Sequence, residues 1–230
     1  MRLHRFYVSQ PLGEEVVIEN VSILKQWLKV FRYTKNDSVI LFNGDGFDVT
    51  YTIEEITLQK GILVQNSKLA SYIPTKKIKL YLSLIKKDNF EFVVQKATEL
   101  EVSEIIPVLS ERSEKKNLNK ERLIKIATEA SEQCGRGDVP TISDILTLKK
   151  ALETMHKNED TFVLQMNGIN ISETRTKNTS NTISLFIGPE GGWSVVEEEL
   201  FKNMNIVSIS LGNTVLRAET ASIAALALFK

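Results

Sequence analysis

From Lys76 onward, short runs of β-branched residues alternate with stretches whose apolar residues recur at helical spacing. That alternation of the two periods points to an α/β chain with a mostly parallel sheet and helices on both faces. Leu80, Leu82 and Leu84 share one face of a strand over 79–85, and a second strand covers 105–109. Phe90, Val93, Val94, Ala97 and Leu100 follow at helical spacing, opened by Asp88 with Glu91 three positions later, the pattern of a capping box. Leu123, Ile126, Ala127, Ala130 and Cys134 form the apolar stripe of a further helix, ended by Gly135. Spacing then predicts a helix over 148–155, strands over 161–165, 182–187 and 206–211, and an Ala-rich closing helix over 217–229. Ser194 and Glu197 make a second capping box, and 175–182 reads as a polar loop.

The first 70 residues follow a different rule. Strands are expected over 15–18, 38–42 and 51–56, with one helix over 21–30 between them. Asn43-Gly44-Asp45-Gly46 is a hairpin signal, because glycine accepts positive φ without steric cost. This segment reads as a small barrel or sandwich. Pro74 marks the change of character, and the domains are taken as 1–72 and 73–230.

Composition excludes several classes. Apolar content of 42% and charged content of 25% are ordinary for a soluble globular protein. A single cysteine rules out an intramolecular disulfide framework. The first residues lack the apolar region of a signal peptide, and no apolar run approaches the roughly 18 residues that span a bilayer. The expectation is a cytoplasmic protein with no membrane partner. Basic and acidic residues balance at 29 each; the excess in 76–150, 15 against 12, is what a solvated face carries.

Motif by motif, the familiar chemistries drop out. Neither the Gly-x-Gly-x-x-Gly of dinucleotide folds nor a P-loop occurs, and Gly-x-Ser-x-Gly is missing. His4, His156 and Cys134 are scattered, so no metal set is expected. Two strand-to-helix loops remain, Ile187-Gly-Pro-Glu-Gly-Gly-Trp-Ser194 and Leu211-Gly-Asn-Thr-Val-Leu-Arg-Ala-Glu-Thr-Ala221. Ligands of open α/β sheets bind outside the carboxyl ends of the strands. Loops of this kind, near Glu190, Arg217, Glu219 and Thr220, suit a main-chain grip on an adenine edge and ribose. Singly, their glycines permit tight turns and Arg217-Ala-Glu219 caps a helix; order and separation carry the information.

In combination these motifs resemble the small-subunit ribosomal RNA uridine N3-methyltransferases (RsmE-like), of the trefoil-knotted SPOUT superfamily. The likeness includes His4-Arg5-Phe6, Val30-Phe31-Arg32, Gln95-Lys-Ala-Thr-Glu-Leu100 and Glu129-Ala-Ser-Glu-Gln-Cys-Gly-Arg136 with Pro140. It continues through Ile187-Gly-Pro-Glu-Gly-Gly192 and Leu216-Arg-Ala-Glu-Thr-Ala221. Departures are Gln26-Trp27 for a His-Leu pair, Glu101 for glycine, Cys134 for serine and Trp193 for phenylalanine.

The resemblance implies a C-terminal SPOUT trefoil-knotted methyltransferase domain behind a small N-terminal β-barrel, PUA-like, for RNA binding. It implies S-adenosylmethionine as cofactor, held by Leu164, Ile187, Gly188, Pro189, Glu190, Gly192, Leu211, Gly212 and Leu216. It further implies a homodimer acting on a uridine N3 of 16S ribosomal RNA in the small ribosomal subunit, without a metal. Uridine N3 must lose a proton before it attacks, which asks for a carboxylate, or a water held by one, as base, with Glu219 or Glu99 the candidates. A guanidinium, Arg217 or Arg136, would stabilise the resulting anion. Glu99 and Arg136 could instead form a structural ion pair. Lys86, Gln95 and Gln133 are candidates for base-edge contacts, and Arg2, Arg5 and Arg32, assisted by Lys29 and Lys35, for phosphates. Two other readings share the fold: a ribose 2′-O RNA methyltransferase and a non-catalytic RNA-binding assembly factor.

Overall fold

Val, Ile and aromatic residues placed every second position build the N-terminal sheet. The computed structural model describes residues 3–114, 116–156, 158–171 and 180–230. It divides into two compact units, Met1–Ile73 with Ser131–Val139, and Pro74–Ala130 with Pro140–Lys230. Arg2 and most of the polar loop expected over 175–182 lie outside the described residues.

The first unit contains β1 (Arg5–Tyr7), β2 (Glu15–Ile18), α1 (Val21–Gln26), β3 (Ser38–Phe42), β4 (Phe47–Ile56) and β5 (Gly61–Ala70). The sheet order is β1-β3-β4-β5-β2; β1 joins β3 in parallel and the other pairs are antiparallel. Val39, Leu41, Val49, Tyr51, Ile53 and Leu63 turn inward, where Phe6 and Trp27 meet edge to face at 5.2 Å. The helix expected over 21–30 changes character part-way. Asn20 caps it by accepting from Ser22 N and Ile23 N, but α-helical bonding stops at Gln26. Trp27–Phe31 continues as a π-helical turn, closed by Arg32 in the left-handed region at φ 57.

Arg5, expected on phosphate, takes another role. Its Nη2 and Nε form a bidentate pair with Asp48 at 2.6 and 2.8 Å. Nη1 and Nη2 also donate to the carbonyls of Ser131 and Arg136, both at 3.2 Å, and the guanidinium lies 4.3 Å from the centre of the Phe42 ring. A guanidinium so surrounded, with 9% of its side chain exposed, has little left to offer a nucleic acid.

The second unit contains β6 (Lys77–Ser83), α2 (Lys87–Glu99), β7 (Glu104–Leu109) and most of α3 (Lys120–Cys134). Next come β8 (Thr141–Ile142), β9 (Leu146–Thr147), α4 (Leu148–Glu153) and β10 (Asp160–Asn170). It ends with β11 (Thr182–Ile187), α5 (Val195–Asn203), β12 (Val207–Ser210) and α6 (Ala218–Phe229). The order is β12-β10-β11-β6-β7-β8, with β9 also on β7, and each of these pairs is parallel. On one face Tyr81 stacks on Phe186 at 4.2 Å, and Phe201 of α5 stands edge-on to both Phe186 and Trp193. On another, Phe162 stacks on Phe229 of α6 at 5.0 Å. An α/β fold with a parallel sheet is therefore present.

Two local expectations need correction. Asp88 does not cap α2: the N-cap is Lys86, without a side-chain cap, and Asp88 falls inside the first turn. Glu91 pairs with Arg122 across 31 positions, at 2.7 Å, and that hydrogen bond holds its carboxyl below the usual carboxylate range. Strand β10 also runs beyond 165. Its register slips between Leu164 and Ile169, so that both meet Ile209 of β12. Gly168 lies so close that a Cβ there would collide with the backbone of Ile209.

Asp48→Ala should cost about 3 kcal/mol in urea denaturation, because it leaves a nearly buried guanidinium without its carboxylate. A loss below about 0.5 kcal/mol would mean that water screens this pair as it does a surface one.

Candidate active site

Because the strands of the second unit run parallel, their carboxyl ends share one edge. Among the segments that leave it are residues 84–86, 110–114, 188–194 and 211–217. The loop after β11 begins where Ile187 pairs with Leu82, so Gly188 and Ser83 stand side by side one step further on. Alternation puts both on the face of Tyr81 and Phe186. The Trp193 ring covers Gly188; a Cβ there would lie 3.2 Å from its Nε1. Gly192 adopts φ +67 and donates to Pro189 O at 2.9 Å, closing the turn. Ser194 then starts α5 with a complete capping box, its Oγ accepting from Glu197 N and Glu197 Oε2 accepting from Ser194 N.

The loop after β12 is pinned from within. Ser210 Oγ donates to Gly212 O at 3.0 Å and accepts from Gly212 N at 3.2 Å. Gly212 sits at φ +123, which side chains disfavour. A Cβ at Gly192 or Gly212 would meet nothing within 4 Å, so main chain in both loops is open to close approach. Ser83 Oγ and Trp193 Nε1 are buried and have no hydrogen-bond partner among the described residues. Buried polar atoms are ordinarily paired, so the two mark a place where polar ligand atoms fit.

The start of α2 touches the loop over 188–194 and the first turn of α6. Lys86 N donates to Glu190 Oε1 at 3.3 Å, which serves the helix start that Asp88 leaves unserved. Asn89 Nδ2 donates to Glu219 Oε2 at 3.4 Å. Glu219 lies in the first turn of α6, its side chain 15% exposed; Arg217 Nη1 approaches its Oε1 at 4.0 Å and is itself 84% exposed. A sheltered carboxylate beside a solvent-facing guanidinium can accept a proton and stabilise an oxyanion.

The other candidates fall as follows. Leu164 lies on β10 opposite Ile209, and Ile187 ends β11. Pro189 is buried, Glu190 exposed, and Leu211 and Leu216 are half-buried at the same edge. Glu99 is carried away from it: ten residues beyond Asn89 along α2 is about 15 Å. There it pairs with Lys96 at 2.9 Å. Arg136 belongs to the first unit, 3% exposed, with Nε and Nη2 on Asp138 at 2.8 and 3.0 Å. Lys86 is exposed, Gln95 half-buried, and Gln133 and Arg32 exposed. Sequence reasoning missed Asn89, Arg112 and Ser83, and read Glu197 as a capping partner of Ser194 without its bond to Glu111 N. The rule that every parallel strand opens its carboxyl end onto the ligand would have drawn attention to 84–89 and 110–113. Among the described residues no cluster of His, Cys, Asp and Glu could hold a metal ion, and no helix is long and apolar enough to cross a membrane.

Comparison with known proteins gives this architecture its class. Residues 72–230 match the RNA methyltransferase domain family, so the second unit carries the fold of an RNA-modifying enzyme. Ribosomal RNA small subunit methyltransferase E of Rickettsia conorii is 29% identical, covering 99% of this chain and 95% of its own. The protein of that description from Helicobacter pylori strain 26695 is 31% identical over 94% of this chain and 96% of its own. A crystal structure of ribosomal RNA small subunit methyltransferase E from Neisseria gonorrhoeae, bound to S-adenosyl methionine, superposes with a TM-score of 0.89 at 28% identity. It covers 98% of this chain and 96% of the other. The chain belongs to the ribosomal RNA small subunit methyltransferase E family.

Gly188→Ala pushes a methyl into the Trp193 ring and should cost about 1–3 kcal/mol in denaturation. Trp193→Phe in the same chain should recover part of that loss, since the smaller ring makes room. Strictly additive effects would show that the two positions do not press on each other.

Proposed function

We propose that this chain is an S-adenosylmethionine-dependent methyltransferase that modifies N3 of a specific uridine in 16S ribosomal RNA of the small subunit. The observation that carries the reading is one edge that presents the open backbone of Gly192 and Gly212 together with Glu219 and Arg217. Leu164, Ile187, Gly188, Pro189, Glu190, Gly192, Leu211, Gly212 and Leu216 would hold the cofactor, whose polar groups the unpaired Ser83 Oγ and Trp193 Nε1 suit. When bound, S-adenosylmethionine supplies an activated methyl group on a sulfonium.

What remains falls to the protein. Glu219 takes the N3 proton, and Arg217 donates to the uracil oxygen that gains charge. Asn89 steadies the Glu219 carboxylate, and Lys86 stands exposed at the same edge for a base-edge contact. No metal enters the reaction. Return of β12 to the far side of β10, after the chain has passed through β11, fits the trefoil knot of the SPOUT superfamily. The first unit, a five-stranded sheet around an aromatic core, fits a PUA-like barrel that grips RNA, with exposed Arg32 better placed for it than Arg5. The domains then divide at 72/73, the enzyme acts as a homodimer, and it works in the cytoplasm beside its ribosomal substrate.

Small subunits from cells lacking the gene, incubated with labelled S-adenosylmethionine and digested to nucleosides, should yield labelled 3-methyluridine by mass spectrometry. Label on a ribose would replace this reading with 2′-O methylation; cofactor binding without transfer would favour the assembly factor. Glu219→Gln should lower kcat about 10²-fold or more with little change in KM for the subunit.

A further inference from the structure

The loop that follows β7 touches the glycine loop over 188–194 at several points, through residues to which the reaction has so far given no part. A short turn shapes it: Ser113 N donates to Ser110 O at 3.1 Å, Ser110 N donates to Ser113 Oγ at 3.2 Å, and the two hydroxyls lie 2.8 Å apart. Glu111 and Arg112 are thereby held at its apex. Glu111 N donates to Glu197 Oε1 at 2.8 Å, and the other oxygen of that buried carboxylate takes Ser194 N at 2.9 Å. Arg112 reaches further. Its Nη1 donates to Gly191 O at 2.8 Å and to Trp193 O at 3.1 Å. Its aliphatic stem lies over Gly191, with Cβ and Cδ at 3.4 and 3.5 Å from where a side chain would begin.

Two consecutive glycines have no side chains with which to hold their own conformation, and glycine is the residue with most freedom to lose. Charge-assisted bonds to two carbonyls on either side of Gly192 supply that restraint from outside. We infer that Arg112 is a positioning residue: it clamps residues 188–194 in the shape that receives S-adenosylmethionine. The inference rests on the reading that this loop holds the cofactor. Arg112 acts through the loop and touches no reacting atom.

The test compares the full chain with Arg112→Ala and Arg112→Lys. Hydrogen exchange should be faster by about tenfold to a hundredfold in the peptide over 188–194 of Arg112→Ala, which loses two bonds from a charged donor. Exchange in the β4–β5 hairpin should not change. Arg112→Lys, whose ammonium can serve both carbonyls, should recover much of the protection. Calorimetry should show the Kd for S-adenosylmethionine raised about tenfold or more in Arg112→Ala and partly restored by lysine. Unchanged exchange over 188–194 overturns the inference, as does exchange raised throughout the chain. Faster local exchange with unaltered cofactor affinity overturns it too. If the unaltered protein binds no S-adenosylmethionine, the cofactor reading fails instead, and the exchange data still decide whether Arg112 clamps the loop.

Discussion

Parallel pairing of β10 between β11 and β12 is the constraint on which the rest depends. Three successive strands are brought side by side with their carboxyl ends level, through Val163↔Phe186 on one side and Leu164↔Ile209 on the other. An antiparallel neighbour would send one of the two loops to the opposite edge. Pairing at this density tolerates little between the strands, which is why Gly168 has no room for a side chain. The site is thus a by-product of strand direction before any functional side chain is considered.

Around that edge, polar side chains work mostly by holding main chain. Glu197 joins two amides, Ser210 closes on both polar groups of Gly212, Glu190 meets the start of α2, and Arg112 spans two carbonyls. Beneath them an aromatic stack, Tyr81 on Phe186 with Phe201 and Trp193 set edge-on, gives the loops a rigid floor. Glycine-containing loops on a stiff floor, tied at chosen atoms, can present open backbone to a ligand without losing their shape.

What could be read from the sequence was whatever depends on neighbours along the chain. The capping box at Ser194 was legible because both partners lie three residues apart. The one at Asp88 failed because Arg122, 31 positions away from Glu91, and Glu190, 104 positions away from Lys86, compete for the same groups. Strand β10 was cut short because Met166-Asn167-Gly168 has weak strand propensity, while Ile209 supplies the pairing that overrides it. The two loops that form the candidate site stood out by their glycines and charges. Asn89 and Arg112 did not, since each matters only through an atom contributed by a distant segment.

The bonds made by Arg5 bear on how the protein comes off the ribosome. The first unit is not one continuous stretch: its second residue group, Ser131–Val139, supplies the Ser131 and Arg136 carbonyls that receive the Arg5 guanidinium, and Glu132 accepts from Tyr7 N at 2.9 Å. Strand β1 therefore waits for more than half of the chain to be synthesised before its contacts are complete. Loop closure over about 125 residues comes late and slowly. A nascent chain halted near residue 100 would hold an N-terminal sheet whose first strand still lacks those partners, and the two ends of the unit would lock only once α3 had emerged.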